Sequence, residues 1–275
     1  MLTEEDKILE KASLKKLHIF IDGSWLFRVC QPVGILASRT ERSGYGFDIN
    51  FAKLSKVLLQ HVRHYDRDCA KVGEKYYVTT ILTIPENIEN LVDDDTETTI
   101  NIVERIKRTS ISRSSVAENA VKAGYSADGI SRPILNRHMF EKYTDGVFQE
   151  KQVNAALVAL LVRSVFINPG DYHLLISGDN DIITALSVAY PEYYKNIVIA
   201  TTHPDELKVE HRHTSFSFYK HKFDIAPFYL QDFVKEIVNG QFIYECSKCR
   251  VIFTRTLAVH GTRRPYCRTC LELRT

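Results

Sequence analysis

Residues 173–181 read HLLISGDND, and this segment indicates the fold class most clearly. Its first four residues, His173–Ile176, form a mostly apolar run that ends at Ser177-Gly178 and two aspartates, Asp179 and Asp181. A helix-like stretch follows. A short apolar run that ends at glycine and polar residues before a helix is typical of a buried parallel strand.

A second stretch repeats this pattern near the start of the chain. Residues 17–24 read LHIFIDGS, so an apolar run again ends at an aspartate, Asp22, ahead of a helix-like stretch. Ligands of open α/β sheets bind just beyond the carboxyl ends of the strands. Carboxylates gathered there repel one another unless a cation lies between them.

Oxygen ligands of this kind suit Mg²⁺ or Mn²⁺, which serve phosphoryl transfer and phosphodiester hydrolysis. We therefore expect Asp22, Asp179 and Asp181 to form a metal site. The alternative is that each aspartate only caps the helix that follows it, because an aspartate carboxylate accepts the free amide hydrogens at a helix start.

Three segments resemble the motifs of NYN domains, which are PIN-like nucleases. Residues 21–27 read IDGSWLF and look like the opening motif, and residues 177–182 read SGDNDI and look like the late motif. Between them, residues 150–157 read EKQVNAAL and are similar to the family's Lys-Gly-Val-Asp helix segment. The order and separation of the three segments fit, and the resemblance covers residues 15–230.

The resemblance implies a Rossmann-like, PIN-type parallel sheet flanked by helices, a divalent metal and RNA cleavage. It adds Asn154 to the metal shell and Ser24 and Lys151 to the substrate-binding residues. Two positions depart from the family pattern: Asn154 stands where the family usually has Asp, and Leu160 stands where it has a further carboxylate. An asparagine still offers a carbonyl oxygen but brings no charge, so these departures weaken metal binding.

Composition is that of an ordinary globular protein. The chain has 275 residues, of which 44% are apolar and 25% charged. No apolar run approaches the roughly 20 residues that span a bilayer, and the acidic N-terminus lacks a signal-peptide pattern. We expect a cytoplasmic protein with no membrane contact, divided into an N-terminal extension (1–14), a nuclease-like domain (15–235) and a small tail (240–275).

Charge is concentrated in that tail. Residues 240–275 hold seven Lys or Arg and two Glu, a net charge of +5, so the rest of the chain carries −3 of the formal total of +2. A basic appendage beside a mildly acidic body favours a polyanionic partner, RNA or DNA. We assign substrate contacts to Arg263, Arg264 and Arg268. The alternative is a solvated surface that binds nothing.

Four of the six cysteines also lie in the tail, as the pairs Cys246/Cys249 and Cys267/Cys270 with seventeen residues between the pairs. This spacing is typical of a four-cysteine Zn²⁺ site, because each Cys-x2-Cys turn offers two thiolates and two turns complete a tetrahedron. So short a segment buries little core, and the metal would supply most of its folding energy. Two disulfides are the alternative, which a cytoplasmic location disfavours. The tail looks like a zinc ribbon that binds RNA or a partner protein.

Periodicity gives a coarse map of the remaining elements. Apolar spacing predicts helices, and β-branched or aromatic runs predict strands. The expected helices are 51–65, 97–122 and 151–166, the last apolar nearly all round and therefore buried. The expected further strands are 75–82, 196–201 and 225–229, with a hairpin over 134–149 around an Asp-Gly turn.

These observations lead to two main hypotheses of function. The first is a metal-dependent endoribonuclease with Asp22, Asp179, Asp181 and Asn154 in its site. The second is a catalytically weakened PIN-like module that binds RNA or joins a protein complex, which the departures at Asn154 and Leu160 favour. A metal-dependent phosphatase is a weaker third reading, because haloacid-dehalogenase-type enzymes place a second aspartate where this chain has Ser24.

Overall fold

A computed structural model describes residues 14–30, 49–88, 97–144, 151–189, 196–202, 224–239, 242–248, 252–255 and 266. Its centre is a six-stranded sheet in which every strand pair is parallel and the strand order is β3-β2-β1-β4-β5-β6. The strands are β1 (Lys15–Asp22), β2 (Cys69–Thr80), β3 (Ile130–Ser131), β4 (Tyr172–Ile176), β5 (Ile197–Thr201) and β6 (Phe228–Tyr229).

Helices cover both faces of this sheet. They are α1 (Gly23–Val29), α2 (Phe51–Tyr65), α3 (Glu97–Lys122), α4 (Arg137–Thr144), α5 (Lys151–Ile167), α6 (Asn180–Ala189) and α7 (Val234–Ile237), the last preceded by a 3₁₀ turn at Leu230–Phe233. The expected α/β class and parallel sheet are confirmed. The strand order is that of Rossmann-type doubly wound sheets.

Alternation along β1 explains why the sheet is buried on both faces. Leu17, Ile19 and Ile21 lie in one apolar cluster with α1, α2 and α7, whereas Phe20 lies in a second cluster with α5 and α6. Successive side chains of a strand point to opposite faces. Because β1 is covered on both faces, nearly all of the residues in its central part must be apolar, and this nearly continuous apolar run is the pattern that predicted the strand.

The expected hairpin over residues 134–149 is wrong. Residues Arg137–Thr144 form helix α4, and residues 145–150 lie outside the described part of the chain. Asn136 starts this helix, because its side chain accepts a hydrogen bond from the Met139 amide (N···O 2.9 Å). Phe140 then packs with Leu135, Ile88 and Ile106 in a third apolar cluster. A side-chain cap and helical spacing of the apolar residues outweigh the Asp-Gly signal.

Helix α5 begins and ends close to its expected bounds, but it is not buried all round. Val153, Leu157, Leu161 and Val165 face the sheet in the second cluster. Phe166, at the end of the helix, is 74% exposed. The helix therefore covers one face of the sheet and leaves its other side open.

A small antiparallel hairpin follows the main sheet. Strands β7 (Phe242–Glu245) and β8 (Ile252–Arg255) pair with each other and with no strand of the six-stranded sheet. Cys246, directly after β7, is buried. The other three predicted zinc ligands, Cys249, Cys267 and Cys270, lie outside the described residues, so the zinc ribbon stays a prediction.

Two histidines stack at the amino ends of the central strands. The rings of His18 on β1 and His173 on β4 lie 5.2 Å apart, centroid to centroid. His18 pairs with Asp171 (Nε2···Oδ2 3.0 Å), and its Nδ1 accepts the Glu74 amide (3.2 Å). His173 donates from Nε2 to the Asn168 carbonyl (3.1 Å). These pairs fix the edge of the sheet opposite the predicted site.

Within the described ranges, no helix is both long enough and apolar enough to cross a membrane.

Candidate active site at the carboxyl ends of the strands

The predicted aspartates lie where the strand order reverses. Strands β1 and β4 are neighbours in the sheet, and from them the chain winds outward in opposite directions through β2 and β5. The loops after such strands diverge and leave a crevice at their carboxyl ends, which is the usual ligand site of this class of sheet. Asp22 ends β1, and Ser177 and Asp179 directly follow β4.

Asp22 is buried, with 2% of its surface exposed. Its Oδ1 accepts the backbone amide of Trp25 (2.9 Å), so it caps helix α1, and its Oδ2 accepts the hydroxyl of Ser177 (2.9 Å). The capping role that the sequence left open is therefore present. The cap uses the Oδ1 atom of Asp22, whereas the Oδ2 atom faces the neighbouring strand β4.

Burial raises the pKa of the Asp22 carboxyl above its ordinary value, because a charge removed from water is disfavoured. The bonds from Trp25 and Ser177 and the positive charge of Arg28 oppose this shift, and the negative charge of Asp179 adds to it. Asp22 and Asp179 therefore interact unfavourably. A cation between them would relieve both the burial cost and the repulsion.

Ser177 links the two aspartates, a role that the sequence analysis missed. Its hydroxyl donates to Asp22 and accepts the backbone amide of Asp179 (3.0 Å). The signal was available: a hydroxyl residue directly after a buried strand lies level with the aspartate that ends the neighbouring strand. Recognising it requires knowing that β1 and β4 are paired, which local sequence does not state.

Asp179 is held by helices on both sides of the loop. Its Oδ1 accepts the backbone amide of Asp181 (3.0 Å) at the start of α6, and its Oδ2 accepts the side-chain amide of Asn154 on α5 (2.8 Å). Asn154 thus lies beside Asp179 and contacts it through its amide nitrogen, whereas its predicted role as a metal ligand through the carbonyl oxygen stays a prediction. An aspartate at position 154 would instead set two carboxylates against each other.

The other predicted site residues are placed differently. The Asp181 side chain is exposed, and only its backbone amide contacts Asp179. Ser24 is buried, and its hydroxyl lies 3.2 Å from that of Thr79. Leu160 is partly buried against the second apolar cluster. Lys151 begins α5, but its side chain lies outside the described part, as do Arg263, Arg264 and Arg268.

Trp25 forms the floor beneath the loop after β4. It is 8% exposed, and a Cβ added at Gly178 would lie 2.4 Å from its ring nitrogen. Only glycine allows the loop to approach the ring this closely. The position of Asp179 therefore depends on the packing of Gly178 on Trp25.

The donor set has the chemistry of a hard-cation site. Asp22 and Asp179 offer carboxylate oxygens, and Asn154 offers an amide oxygen, which are the ligands that Mg²⁺ and Mn²⁺ prefer. Among the described residues, no group of three or more Asp, Glu, His or Cys side chains converges as metal ligands do. The Ser177 hydroxyl thus links Asp22 and Asp179, whereas the Asp181 side chain is exposed at the edge of the site.

Comparisons with protein-family models, with curated proteins and with solved structures gave no match for this chain.

Proposed function

We propose that this chain is a metal-dependent endoribonuclease of the NYN, PIN-like type. The observation that carries the proposal is the link between Asp22 and Asp179 through the Ser177 hydroxyl at the point where the strand order reverses. A buried carboxylate that is repelled by a neighbouring one at such a point is costly to the fold, and a catalytic role explains why the pair is present.

Each residue then has a stated role. Asp22 and Asp179 hold Mg²⁺ or Mn²⁺, with Asp181 at the rim and the Asn154 carbonyl oxygen completing the shell directly or through water. A divalent cation bound there supplies an activated water and offsets negative charge on the reacting phosphate. Ser177 fixes the two aspartates relative to each other, and Lys151 binds a phosphate of the RNA. Hydrolysis of this kind leaves 5′-phosphate and 3′-hydroxyl ends.

The tail takes a separate part in the proposal. One Zn²⁺ is bound in a ribbon by Cys246, Cys249, Cys267 and Cys270. This ribbon binds RNA or a partner protein and so brings the metal site close to its substrate. The basic side chains Arg263, Arg264 and Arg268 contact phosphates. Such contacts are mainly electrostatic and weaken steeply with salt.

A second candidate is an RNA-binding or complex-forming module without turnover. The hydrogen bond from the Asn154 amide to Asp179 favours it, because this bond satisfies the Asp179 carboxylate without any cation. A site that is stable without metal can lose metal binding during evolution and still keep the crevice at the carboxyl ends of the strands.

A cleavage assay with parallel binding measurements separates the two candidates. The wild type, Asp22→Asn and Asp179→Asn are incubated with structured and single-stranded RNA in Mg²⁺ or Mn²⁺, and RNA affinity is measured without added metal. If the protein is a nuclease, only the wild type should cleave RNA, and all three proteins should bind RNA with nearly equal affinity. Binding without cleavage by the wild type would favour the module.

A further inference from the structure

Two threonines stand at the carboxyl ends of the strands on either side of the aspartates. Thr80 ends β2, two residues after Val78, which pairs with Asp22 and lies in the second apolar cluster. Alternation along the strand therefore places Thr80 on the same face as Asp22. Thr201 ends β5 directly after Ala200, the partner of Ile176. It thus lies beside Ser177, again on the face that holds Asp22.

Both threonines are buried, yet no described residue hydrogen-bonds to the hydroxyl of either. Thr80 is 5% exposed and Thr201 1% exposed. Within the described part of the chain, the Oγ1 atoms of both lack a hydrogen-bond partner. Buried hydroxyls are normally hydrogen-bonded, so an unpartnered one is a cost that calls for an explanation.

Position, rather than the missing partner alone, distinguishes these two residues. Ser164 on α5 is also buried and unpartnered, but it lies near the end of the helix that leads to the amino end of β4. Thr80 and Thr201 instead flank the aspartates in the row β2-β1-β4-β5. Polar residues between them, Asp22 and Ser177, are bonded to each other.

We propose that Thr80 and Thr201 are substrate-binding residues that donate their hydroxyls to phosphate oxygens of a single polynucleotide strand lying across the carboxyl ends of β2, β1, β4 and β5. The inference rests on the proposed function and deepens it. Neighbouring strands lie about 4.8 Å apart, so the row spans about 14 Å. At the 3.4 Å rise per nucleotide of a stacked strand, that distance takes at most about four nucleotides, and fewer where the strand is extended. The substrate is therefore a single strand of several nucleotides rather than a mononucleotide.

The test replaces each hydroxyl by a methyl group of similar size. Thr80→Val, Thr201→Val and wild type are titrated with a single-stranded RNA of ten nucleotides and with a mononucleotide, without added Mg²⁺ or Mn²⁺. Each variant should bind the RNA roughly ten-fold more weakly, because a hydrogen bond to a charged phosphate is lost. Neither should melt at a lower temperature than the wild type, because no bond within the fold is lost.

Two controls make the result specific. Thr80→Ser and Thr201→Ser keep the hydroxyl and should restore RNA affinity. Ser164→Ala removes an unpartnered buried hydroxyl away from the site, and it should leave RNA affinity unchanged.

Three outcomes would overturn the inference. Unchanged RNA affinity in both valine variants removes the proposed contacts, while cleavage by the wild type would leave the proposed function standing. A lowered melting temperature with unchanged affinity would make the threonines structural residues. A wild type that neither binds nor cleaves RNA would remove the proposed function and this inference together.

Discussion

At the scale of single residues, the contact between Asn154 and Asp179 determines how the site responds to metal. The Asn154 amide donates to one oxygen of Asp179, and the Asp181 backbone amide donates to the other. Asp179 is therefore satisfied without a cation. Replacing the amide by a carboxylate removes a donor and adds a like charge, so that a cation or a shared proton is needed to hold the two groups together.

Asn154→Asp should therefore make stability depend on metal. Without metal, we expect the free energy of unfolding to fall by about 1–2 kcal/mol, because a hydrogen bond is replaced by repulsion between two carboxylates. Mn²⁺ should restore most of this loss and should raise or create cleavage. The measurement is urea unfolding with and without Mn²⁺.

The matched control is Asn154→Ala, which removes the same hydrogen bond but adds no charge. It should lose stability without gaining a response to Mn²⁺ beyond that of the wild type. If Asn154→Asp responds to Mn²⁺ no more than Asn154→Ala does, position 154 does not face the metal.

His173 makes stability depend on pH at the opposite edge of the sheet. Burial lowers the pKa of His173 from 6.5 to about 4 in the folded protein. Between these two pH values the unfolded chain binds a proton that the folded protein does not, so stability falls as pH falls. The loss is on the order of 2–3 kcal/mol over this window.

His173→Phe keeps an aromatic ring against His18 and Phe20 but cannot be protonated. Chemical unfolding at pH 6.5 and pH 4 should therefore show a smaller loss of stability on acidification than in the wild type. An equal loss in both proteins would contradict the role given to His173.

The two main aspartates could be predicted from sequence because each follows an apolar run with a clear end. Their connection through Ser177 could not, because it depends on which strands are neighbours. The burial of Asp22 could not be predicted either. Its bond to the Trp25 amide was one of two alternatives, since the same residue type serves as metal ligand and helix cap. Thr80 and Thr201 carried no sequence signal, because threonine is common in strands.

At the scale of elements, the loop after β4 depends on the contact between Gly178 and Trp25. A Cβ at position 178 would lie 2.4 Å from the ring nitrogen and 2.7 Å from Cε2, both within the body of a buried ring. The ring cannot move without disturbing α1, and the loop cannot move without displacing Asp179.

Gly178→Ala should therefore lower the free energy of unfolding by about 1–3 kcal/mol, the usual cost of overpacking. It should also reduce activity, because Asp179 shifts. Gly170→Ala is the control, since a Cβ there meets nothing within 4 Å. Thermal unfolding of both variants tests the claim, and equal melting temperatures would contradict it.

Element prediction succeeded where a segment carries its own pattern. The bounds of α2 and α3 matched their apolar spacing, and β1 and β4 matched their apolar runs. The predicted hairpin failed because the Asn136 cap and the third apolar cluster are not visible in a turn dipeptide. Strand β3 was missed because two residues, Ile130 and Ser131, are too few to form a pattern.

At the scale of the whole molecule, the tail from residue 240 is predicted to be a separate zinc-dependent unit. Its hairpin forms a sheet of its own. The end of the main domain is tied to the start of α2: the Asn50 side chain donates to Asn239, and the Asn50 backbone amide donates to the Ile237 carbonyl. All six strands of the main sheet precede the tail in the sequence.

Removing residues 240–275 should leave the main domain folded, with a cooperative thermal transition close to that of the full chain. The full chain should carry one Zn²⁺, because four thiolates at this spacing favour it, and the truncated chain should carry none. Elemental analysis measures both. Zinc retained after truncation, or four oxidised cysteines in the full chain, would contradict the ribbon.

The parallel sheet followed from alternating strand and helix patterns, but its strand order did not. Which strands are neighbours depends on pairings between residues far apart in the chain, such as Ile21 with Ile176. That order decides which aspartates meet. The proposed metal site therefore depends on the strand order, which local sequence patterns do not specify.

The ends of the RNA products test the central claim most directly. RNA is incubated with Mn²⁺ and with wild type or Asp179→Asn, and the ends of the fragments are identified. The wild type should give fragments with 5′-phosphate and 3′-hydroxyl ends, and no fragments should form without the metal or from Asp179→Asn. Fragments of equal amount from Asp179→Asn, cleavage without a divalent metal, or cyclic phosphate ends would contradict it.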